Sequence, residues 1–166
     1  MLDRSSPGVT IRPAEVADTE AILSLHQASI RQLAGGAYSP TQIDSWARKP
    51  DGTRPYEVSI RDDSRHVVVG ERDGDLAGWG RLDENDGEVS AMYVHPDFAR
   101  EGVGSAILDH LEGVAREGGI ERLHLWASLN AVPFYESAGY AALGETLHET
   151  SGGVVIECVE MEKELG

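Results

Sequence analysis

The sequence predicts a single α/β domain built on a mixed β-sheet with helices on its faces. Residues 66–94 follow the two-residue period of strands and contain two turn signals, which indicates an antiparallel meander. The strands at 88–94 and 122–127 are joined through a helix, so we expect them to be parallel neighbours with a right-handed crossover. A length of 166 residues with 40% hydrophobic content suits one sizeable core. We expect residues 1–8 to be a flexible N-terminus and residues 9–166 to form the domain.

The first half of the chain reads mainly as helix. A short strand at 9–12 precedes a helix at 18–33, in which apolar residues recur at helical spacing. The segment Ser39-Pro40-Thr41-Gln42 opens a second helix, because serine can cap it, proline suits its first position and glutamine completes a capping box. A run of breaking residues at 49–55 closes this region.

The second half alternates strands and helices. Strands are predicted at 66–71, 76–82 and 88–94, a helix at 104–117, and a strand at 122–127. A short helix capped by Asn130 follows and ends near Gly139. Two last strands, at 140–149 and 154–162, are joined by a turn at 151–153.

The chain is strongly acidic, with 29 acidic and 14 basic side chains and a formal net charge of −15. Such a surface repels nucleic acid and anionic membranes, so we expect neither as a partner. The acidity is spread along the chain and lysine occurs only at Lys49 and Lys163, a composition that resembles proteins of salt-loving microbes. A cationic substrate is the alternative explanation. The polar start and the lack of a long apolar run lead us to expect a cytoplasmic protein.

The stretch HPDFAREGVGSAILDHL, residues 95–111, joins a strand to an amphipathic helix. Gly102 and Gly104 let backbone N–H groups turn outward, the helix N-terminus adds partial positive charge and Arg100 adds a full one. These features together predict a pyrophosphate cradle. A Walker loop is excluded because no Lys-Ser/Thr pair follows the glycines, and a dinucleotide fingerprint would need glycine or alanine at Ile107. A tight turn without a ligand is the remaining alternative.

Several further segments accompany this loop. They are MYVHP at 92–96, AREGVGSA at 99–106, Asn130, FYE at 134–136 and AGY at 138–140. Together they resemble the GNAT superfamily of acyl-CoA-dependent N-acyltransferases, and the order of elements is similar over residues 9–163. The family pattern commonly has Gln or Arg where this chain has Ala99, and Arg100 is the substitute one place along.

The resemblance implies a binding site for acetyl-CoA. The loop would hold the pyrophosphate through main-chain N–H groups, and the backbone of residues 92–94 would pair with the pantetheine arm because the strands at 88–94 and 122–127 splay apart. Asn130 matches a family residue that contacts the arm. The residues implied in binding are Met92, Tyr93, Val94, Arg100, Glu101, Gly102, Val103, Gly104, Ser105, Asn130 and Tyr135.

The resemblance also implies direct attack of an amine on a thioester. Glu88 matches a position where some family members place the base that accepts the amine proton, and in a regular strand its side chain shares a face with Met92 and Val94, although a bulge would change this. Tyr135 matches the general acid that protonates the departing sulfur. Backbone N–H groups at 92–94 are the implied oxyanion donors.

Other residues are given structural roles. The six histidines lack the paired spacing of a helical zinc site, so no metal is expected, and His26 and His110 are assigned to helix surfaces or grooves. Trp79 and Trp126 are expected in the core, with lining of an acceptor pocket as the alternative for both, and Cys158 is expected to be an inert packed thiol.

Two classes of function follow from the resemblance. The favoured one is an acetyl-CoA-dependent N-acetyltransferase acting on a small-molecule or peptide amine, and the alternative is a catalytically weak module that binds acyl-CoA and regulates. Residues 29–31, Tyr38 and Trp46 are expected to shape the acceptor pocket. The acceptor itself is left open, as is a homodimer.

Overall fold

A computed structural model describes residues 8–32 and 36–166. The described strands are β1 (Val9–Pro13), β2 (Arg65–Arg72), β3 (Asp75–Asp83), β4 (Glu88–Val94), β5 (Arg122–Ser128), β6 (Ala141–Glu149) and β7 (Val155–Glu164). The helices are α1 (Thr19–Arg31), α2 (Pro40–Ala47), α3 (Arg54–Arg61), α4 (Val103–Glu117) and α5 (Val132–Ser137). Most of the predicted flexible N-terminus, and Leu33 at the predicted end of the first helix, lie outside the described residues.

The strands form one seven-stranded mixed sheet in the order β1-β2-β3-β4-β5-β7-β6. Neighbours are antiparallel except β4 and β5, which are parallel, as the crossover through α4 predicts. The β2–β3 hairpin closes on Asp73 and Gly74, both with positive φ, as the Asp-Gly turn signal predicts. The predicted fold class is therefore confirmed.

The sheet carries hydrophobic clusters on both faces. One face packs against α4 through a cluster that includes Leu82, Ile107, Leu111, Leu123 and Met161, each with none of its surface exposed. The other face packs against α1 and α3 around residues such as Ile22, Tyr56 and Trp79. Trp79 is 2% exposed and is a core residue, as predicted, whereas Trp126 is 44% exposed, so its expected core position is wrong.

Three local expectations are wrong for identifiable reasons. The breaking run at 49–55 was not expected to lead into a helix, yet its last residue, Pro55, lies in the first turn of α3, where proline is well tolerated. Asn130 does not cap α5, because it lies within a 3₁₀ turn (Leu129–Ala131) and the residue before α5 is Ala131. His26 is only 8% exposed and its Nδ1 forms a 2.8 Å hydrogen bond with the hydroxyl of Tyr56, because α1 turns this side toward the sheet.

Candidate active site

The parallel strands β4 and β5 diverge soon after they meet. Within residues 36–166 their ladder contains one pair, Glu88 with His124, next to a hydrogen bond of 3.0 Å from His124 N–H to Gly87 C=O. Further along, β5 pairs fully with β7 on its other side, while β4 pairs with β3. The predicted splay is therefore present, and it leaves residues 92–94 without partners in β5.

A cavity of about 170 Å³ occupies this gap. Its walls come from the two separating strands, the 3₁₀ turn after β5, α5, and parts of α2, β6 and β7. Four of the predicted site residues line it together: Glu88, Met92, Tyr93 and Tyr135. The lining also contains Trp46, Ser90, Trp126, His148, Ile156 and Cys158.

A β-bulge in β4 decides which way Glu88 faces. Arg81 of β3 pairs with Ala91 and the next residue, Leu82, pairs with Val89, which leaves Ser90 as the extra residue. Val89, Met92 and Val94 all pack into the cluster against α4, so Glu88, next to Val89, projects to the opposite face. The expected shared face with Met92 and Val94 is therefore wrong, because the bulge shifts the alternation by one residue.

The Glu88 carboxyl is half-buried among charges of both signs. Burial has the largest effect and raises its pKa, while His124 and Arg81 act to lower it and Asp83 and Asp86 to raise it. A carboxylate with a raised pKa is a better proton acceptor than an ordinary glutamate. The position is chemically suited to a general base.

Tyr135 lines the same cavity from α5. It is 7% exposed and belongs to α5, a six-residue helix that follows the 3₁₀ turn after β5. Its ring makes edge contacts with Phe134 and Tyr140, with centroids 5.2 and 5.8 Å away. Burial raises its pKa well above the ordinary value, so the phenol keeps its proton at neutral pH.

The glycine loop enters α4 through two residues in the left-handed region. Arg100 has φ 64° and Gly102, the residue before the helix, has φ 83°. The helix begins at Val103, one residue earlier than predicted, and the N–H groups of its first turn have no partners within the helix. Glu101 is tied to β2 by an ion pair of 2.9 Å between its Oε1 and Arg72 Nε. The loop thus presents backbone donors at a helix N-terminus, as an anion site requires.

The loop, β4 and α5 meet at Gly104. A Cβ built on Gly104 would lie 3.4 Å from the Phe134 ring and 3.5 Å from a methyl group of Val94. The first turn of α4 therefore lies beside the end of β4 and beside α5. Residues 100–105 and Asn130 do not line the cavity, and Asn130 is exposed in its turn.

The wall opposite β4 is fixed by hydrogen bonds that sequence reasoning did not find. The Tyr38 hydroxyl donates to the Glu157 carbonyl at 2.5 Å and accepts the Leu129 N–H at 2.8 Å. The hydroxyls of Ser45 and Thr150 bond at 2.7 Å, which joins α2 to the β6–β7 turn. These long-range bonds place Trp46 in the cavity wall. The sequence predicts that Tyr38 and Trp46 shape the acceptor pocket, but it does not predict the bonds themselves.

Cys158 also lines the cavity, a position that its strand pattern did not reveal. It is 4% exposed, and burial raises the pKa of its thiol, which disfavours the nucleophilic thiolate. Among the described residues no three potential metal ligands come together, and none of the described helices is long and apolar enough to cross a membrane.

Residues 36–165 match the acetyltransferase (GNAT) domain family, which is most of the chain. The protein named uncharacterized N-acetyltransferase YjcF, from Bacillus subtilis, is 34% identical over 88 residues, which are 52% of this chain and 62% of that protein. The chain thus spans less than two thirds of that relative.

Solved structures agree with the family match. A GCN5-related N-acetyltransferase from Rhodopseudomonas palustris has a TM-score of 0.85 at 27% identity, covering 99% of this chain and 98% of that one. The PaiA N-acetyltransferase from Thermoplasma acidophilum, solved in complex with coenzyme A, has the same fold, with a TM-score of 0.76 at 21% identity over 94% and 98% of the two chains. The match over residues 36–165 shows that the chain belongs to the acetyltransferase (GNAT) domain family.

Proposed function

We propose that this protein transfers the acetyl group of acetyl-CoA to the primary amine of a small-molecule or peptide acceptor by direct attack. The observation that carries this proposal is that Glu88 and Tyr135 line one cavity, in the gap where β4 and β5 separate. One supplies a carboxylate with a raised pKa and the other a phenol that stays protonated.

The residues present fit acetyl-CoA in two places. Residues 92–94 have no partners in β5, so their backbone can pair with an amide-containing arm. The first turn of α4, entered through Gly102 in the left-handed conformation, offers N–H groups to a pyrophosphate. Arg100, Glu101, Val103, Gly104 and Ser105 complete this proposed loop, and Asn130 is proposed to contact the arm. When bound, acetyl-CoA supplies an activated acetyl group as a thioester.

Glu88 is proposed as the base that takes the proton of the attacking amine, directly or through water, because a protonated amine has no lone pair for attack. Arg81 and His124 act to lower the pKa of its carboxyl, which favours the ionised form needed for this role. The bulge at Ser90 supports the assignment, since it turns Glu88 toward the face on which α1 and α3 pack.

Tyr135 is proposed as the acid that donates its hydroxyl proton to the departing sulfur. The N–H groups of residues 92–94 are proposed to donate to the oxygen on which negative charge develops, and fixed donors of this kind are worth about 100-fold or more in turnover. Each role uses a group that is already held in place by the sheet or by aromatic packing.

A homodimer and a cytoplasmic location complete the proposal. The edge strand β6 is exposed along its whole length and includes Leu143 and Leu147, 53% and 68% exposed, so it offers an apolar edge to a second copy. Sedimentation equilibrium measures this directly, and a monomer at all concentrations contradicts the dimer.

The test combines calorimetry with turnover. Acetyl-CoA and CoA are titrated into the protein in buffer rich in potassium chloride, and free thiol is then followed with a panel of amines. Binding with thiol release for at least one amine supports the proposal. Tight binding without release for any amine favours a regulatory acyl-CoA-binding module, and no binding of either compound contradicts the assignment of the loop.

A further inference from the structure

A second depression, the arginine groove, lies between α3 and strands β2 and β3. It has a volume of about 500 Å³ and is lined by Arg54, Arg65 and Arg81 together with Ser59 and Asp51. Three arginines in one groove are unexpected on a chain with a net charge of −15. Like charges gathered in one place repel, so the cluster needs an explanation.

Arg81 forms the inner part of the groove, and its hydrogen bonds use only some of its N–H donors. Its Nε donates to Ser90 Oγ at 2.7 Å and its Nη1 donates to Ser59 Oγ at 3.0 Å. A guanidinium has five N–H donors, so within the part of the chain that the structure describes these two bonds leave both Nη2 donors and one Nη1 donor unused. Within residues 8–32 and 36–166, no carboxylate oxygen lies within 4.0 Å of Arg81. Burial, and then the charge of Arg65, lower its pKa, while the charges of Glu88, Tyr93 and Asp83 act to raise it.

Ser59 holds two of the arginines beside each other. It is 1% exposed, and its Oγ accepts from Arg81 Nη1 and, at 3.4 Å, from Arg65 Nη1. Arg65 is balanced by carboxylates of Asp83 at 3.4 Å and Asp62 at 3.8 Å. Among the described residues Arg81 has no carboxylate at ion-pair distance, although the charges of Glu88 and Asp83 still act on it. Ser59 and Ser90 fix its planar head without using all of its donors.

Arg54 adds a further guanidinium group at the rim. It is exposed, and in the part of the chain that the structure describes it forms no ion pair. Asp51 is the one carboxylate in the groove lining, against three guanidinium groups. The groove therefore keeps an excess of positive charge with planar donors, which matches the geometry of a carboxylate or phosphate group.

We propose that the arginine groove binds an oxyanion, a carboxylate or a phosphate, through Arg81 and Arg54. Ser59 is the positioning residue that holds the Arg81 head in place. Two sources share this chemistry: a negative group on the acetyl acceptor itself, or a free anion that binds beside the active site. The first source depends on the proposed function and has a structural basis, because Arg81 bonds to Ser90 and Ser90 lines the cavity that contains Glu88.

The experiment starts with binding, which needs no turnover. Inorganic phosphate and succinate are each titrated calorimetrically into the wild-type protein, R54Q, R81Q and R61Q. Arg61 belongs to the same helix and is exposed but lies outside the groove lining, so R61Q matches R54Q in net charge. We expect a Kd of about 1 mM or tighter, weakened about tenfold by R54Q and R81Q, as for loss of one charge-assisted hydrogen bond, and unchanged in R61Q.

Kinetics then separate the two sources. If the acceptor carries the anion, R54Q raises KM for amines that bear a carboxylate or phosphate but not for neutral amines or for acetyl-CoA, and leaves kcat within about twofold. If the anion is free, phosphate binding depends on Arg54 while KM for every amine is unchanged. Either result supports the groove.

The proposal is overturned if R54Q and R61Q bind both probes equally well and share the same KM values. It is also overturned if neither probe binds the wild-type protein and anionic amines show no dependence on Arg54. Because R54Q changes an exposed side chain, the conclusion stands even if R81Q does not fold. A protein that turns over no amine contradicts the proposed function. The calorimetric result still tests whether the arginine groove binds an oxyanion.

Discussion

At the residue scale, substitution of Tyr135 can distinguish a catalytic role of its hydroxyl from a packing role of its ring. Removing its hydroxyl in Tyr135→Phe keeps the ring contacts with Phe134 and Tyr140 but removes the proton donor. We expect kcat to fall by about 100-fold, while the Kd for acetyl-CoA changes by no more than about threefold. Single-turnover thiol release measures the first quantity and calorimetry the second.

The matched control is Tyr140→Phe. Its hydroxyl donates to Glu112 Oε2 at 2.8 Å, inside a buried network with Lys163, and does not line the cavity. This variant is expected to lose about 1–3 kcal/mol of unfolding free energy with little change in kcat. Equal loss of kcat in both variants would argue that Tyr135 only packs.

Glu88 determines the expected pH dependence. The base works in its ionised form, so kcat/KM falls as the pH falls through the pKa of Glu88, which burial raises above its ordinary value. This fall at low pH is the acid limb of the profile. In Glu88→Gln the acid limb disappears, and kcat/KM at high pH drops by about 100-fold. Profiles measured with two amines of different basicity distinguish this limb from protonation of the amine.

Glu84→Gln is the control for this profile. Glu84 bonds to His66 Nε2 at 2.7 Å and lies outside the cavity lining. Its variant should keep the wild-type acid limb. An acid limb that survives in Glu88→Gln shows that water or another carboxylate accepts the proton.

At the element scale, α4 approaches the sheet closely because β3 carries glycine where it crosses the helix. A Cβ on Gly80 would lie 2.6 Å from a methyl group of Ile107 and 3.1 Å from Leu111. Since Ile107 is fully buried, Gly80→Ala forces the helix outward and should cost about 1–3 kcal/mol of unfolding free energy. Urea unfolding measures this change.

A glycine on the helix itself gives the opposite expectation. Gly113 has open space around its Cβ position and lies inside α4. Gly113→Ala should therefore stabilise the protein by about 0.5–1 kcal/mol, through helix propensity. A Gly80→Ala protein as stable as the wild type would mean that α4 is not fixed against β3.

The elements that the sequence predicts well are those with a strong local signal. The β2–β3 hairpin has an Asp-Gly turn and α4 has a regular apolar face, and these elements lie within one residue of their predicted bounds. The helix α2 begins where its capping box of Ser39 and Gln42 predicts. By contrast, α3 is short and begins at Arg54 with proline next, so its pattern resembles a loop. The assignment of Tyr135 and Glu88 to one site came from the family resemblance, not from periodicity.

What the sequence does not predict depends on contacts between distant segments. The bulge at Ser90 is a mismatch between two strands, and no signal in β4 alone reports it. The burial of His26 depends on which side of α1 faces the sheet, and the bond from Tyr38 to Glu157 spans 119 residues. Such features need the assembled tertiary structure.

At the scale of the whole molecule, its tyrosines predict weakness at alkaline pH. All five have a pKa above the ordinary value, with burial as the largest cause, and for Tyr56 and Tyr93 it is about 12. The unfolded chain loses these protons first, near pH ~10, so the free energy of unfolding falls as the pH rises above that value.

Lys49 has the opposite effect on the free energy of unfolding, over a lower range of pH. Burial lowers its pKa to about 8, so its contribution to stability rises with pH between that value and its ordinary pKa.

We expect tyrosinate absorbance and loss of circular dichroism to appear together above pH ~10. Tyrosinate formation with an ordinary pKa in a protein that keeps its native dichroism would contradict this account.

The charge of −15 predicts that salt stabilises the fold. Folding brings the surplus carboxylates closer together, and their repulsion is screened when the Debye length falls from about 10 Å at 0.1 M salt to about 3 Å at 1 M. Salt also weakens ion pairs, but those of Arg12 with Asp18 and of Lys163 with Glu112 are partly or largely buried and are screened less. The net effect should therefore be stabilising.

We expect the melting temperature to rise steeply as potassium chloride increases from about 0.1 to 2 M. Most of the rise should be complete near about 1 M, where the Debye length is already only about 3 Å. Sucrose at equal osmolality is the control, because it favours compact states without screening charge. A larger rise with the salt than with the sugar assigns the effect to repulsion between carboxylates. A melting temperature that stays flat across the salt series would instead count against adaptation to high salt and would leave a cationic substrate as the alternative explanation of the acidity.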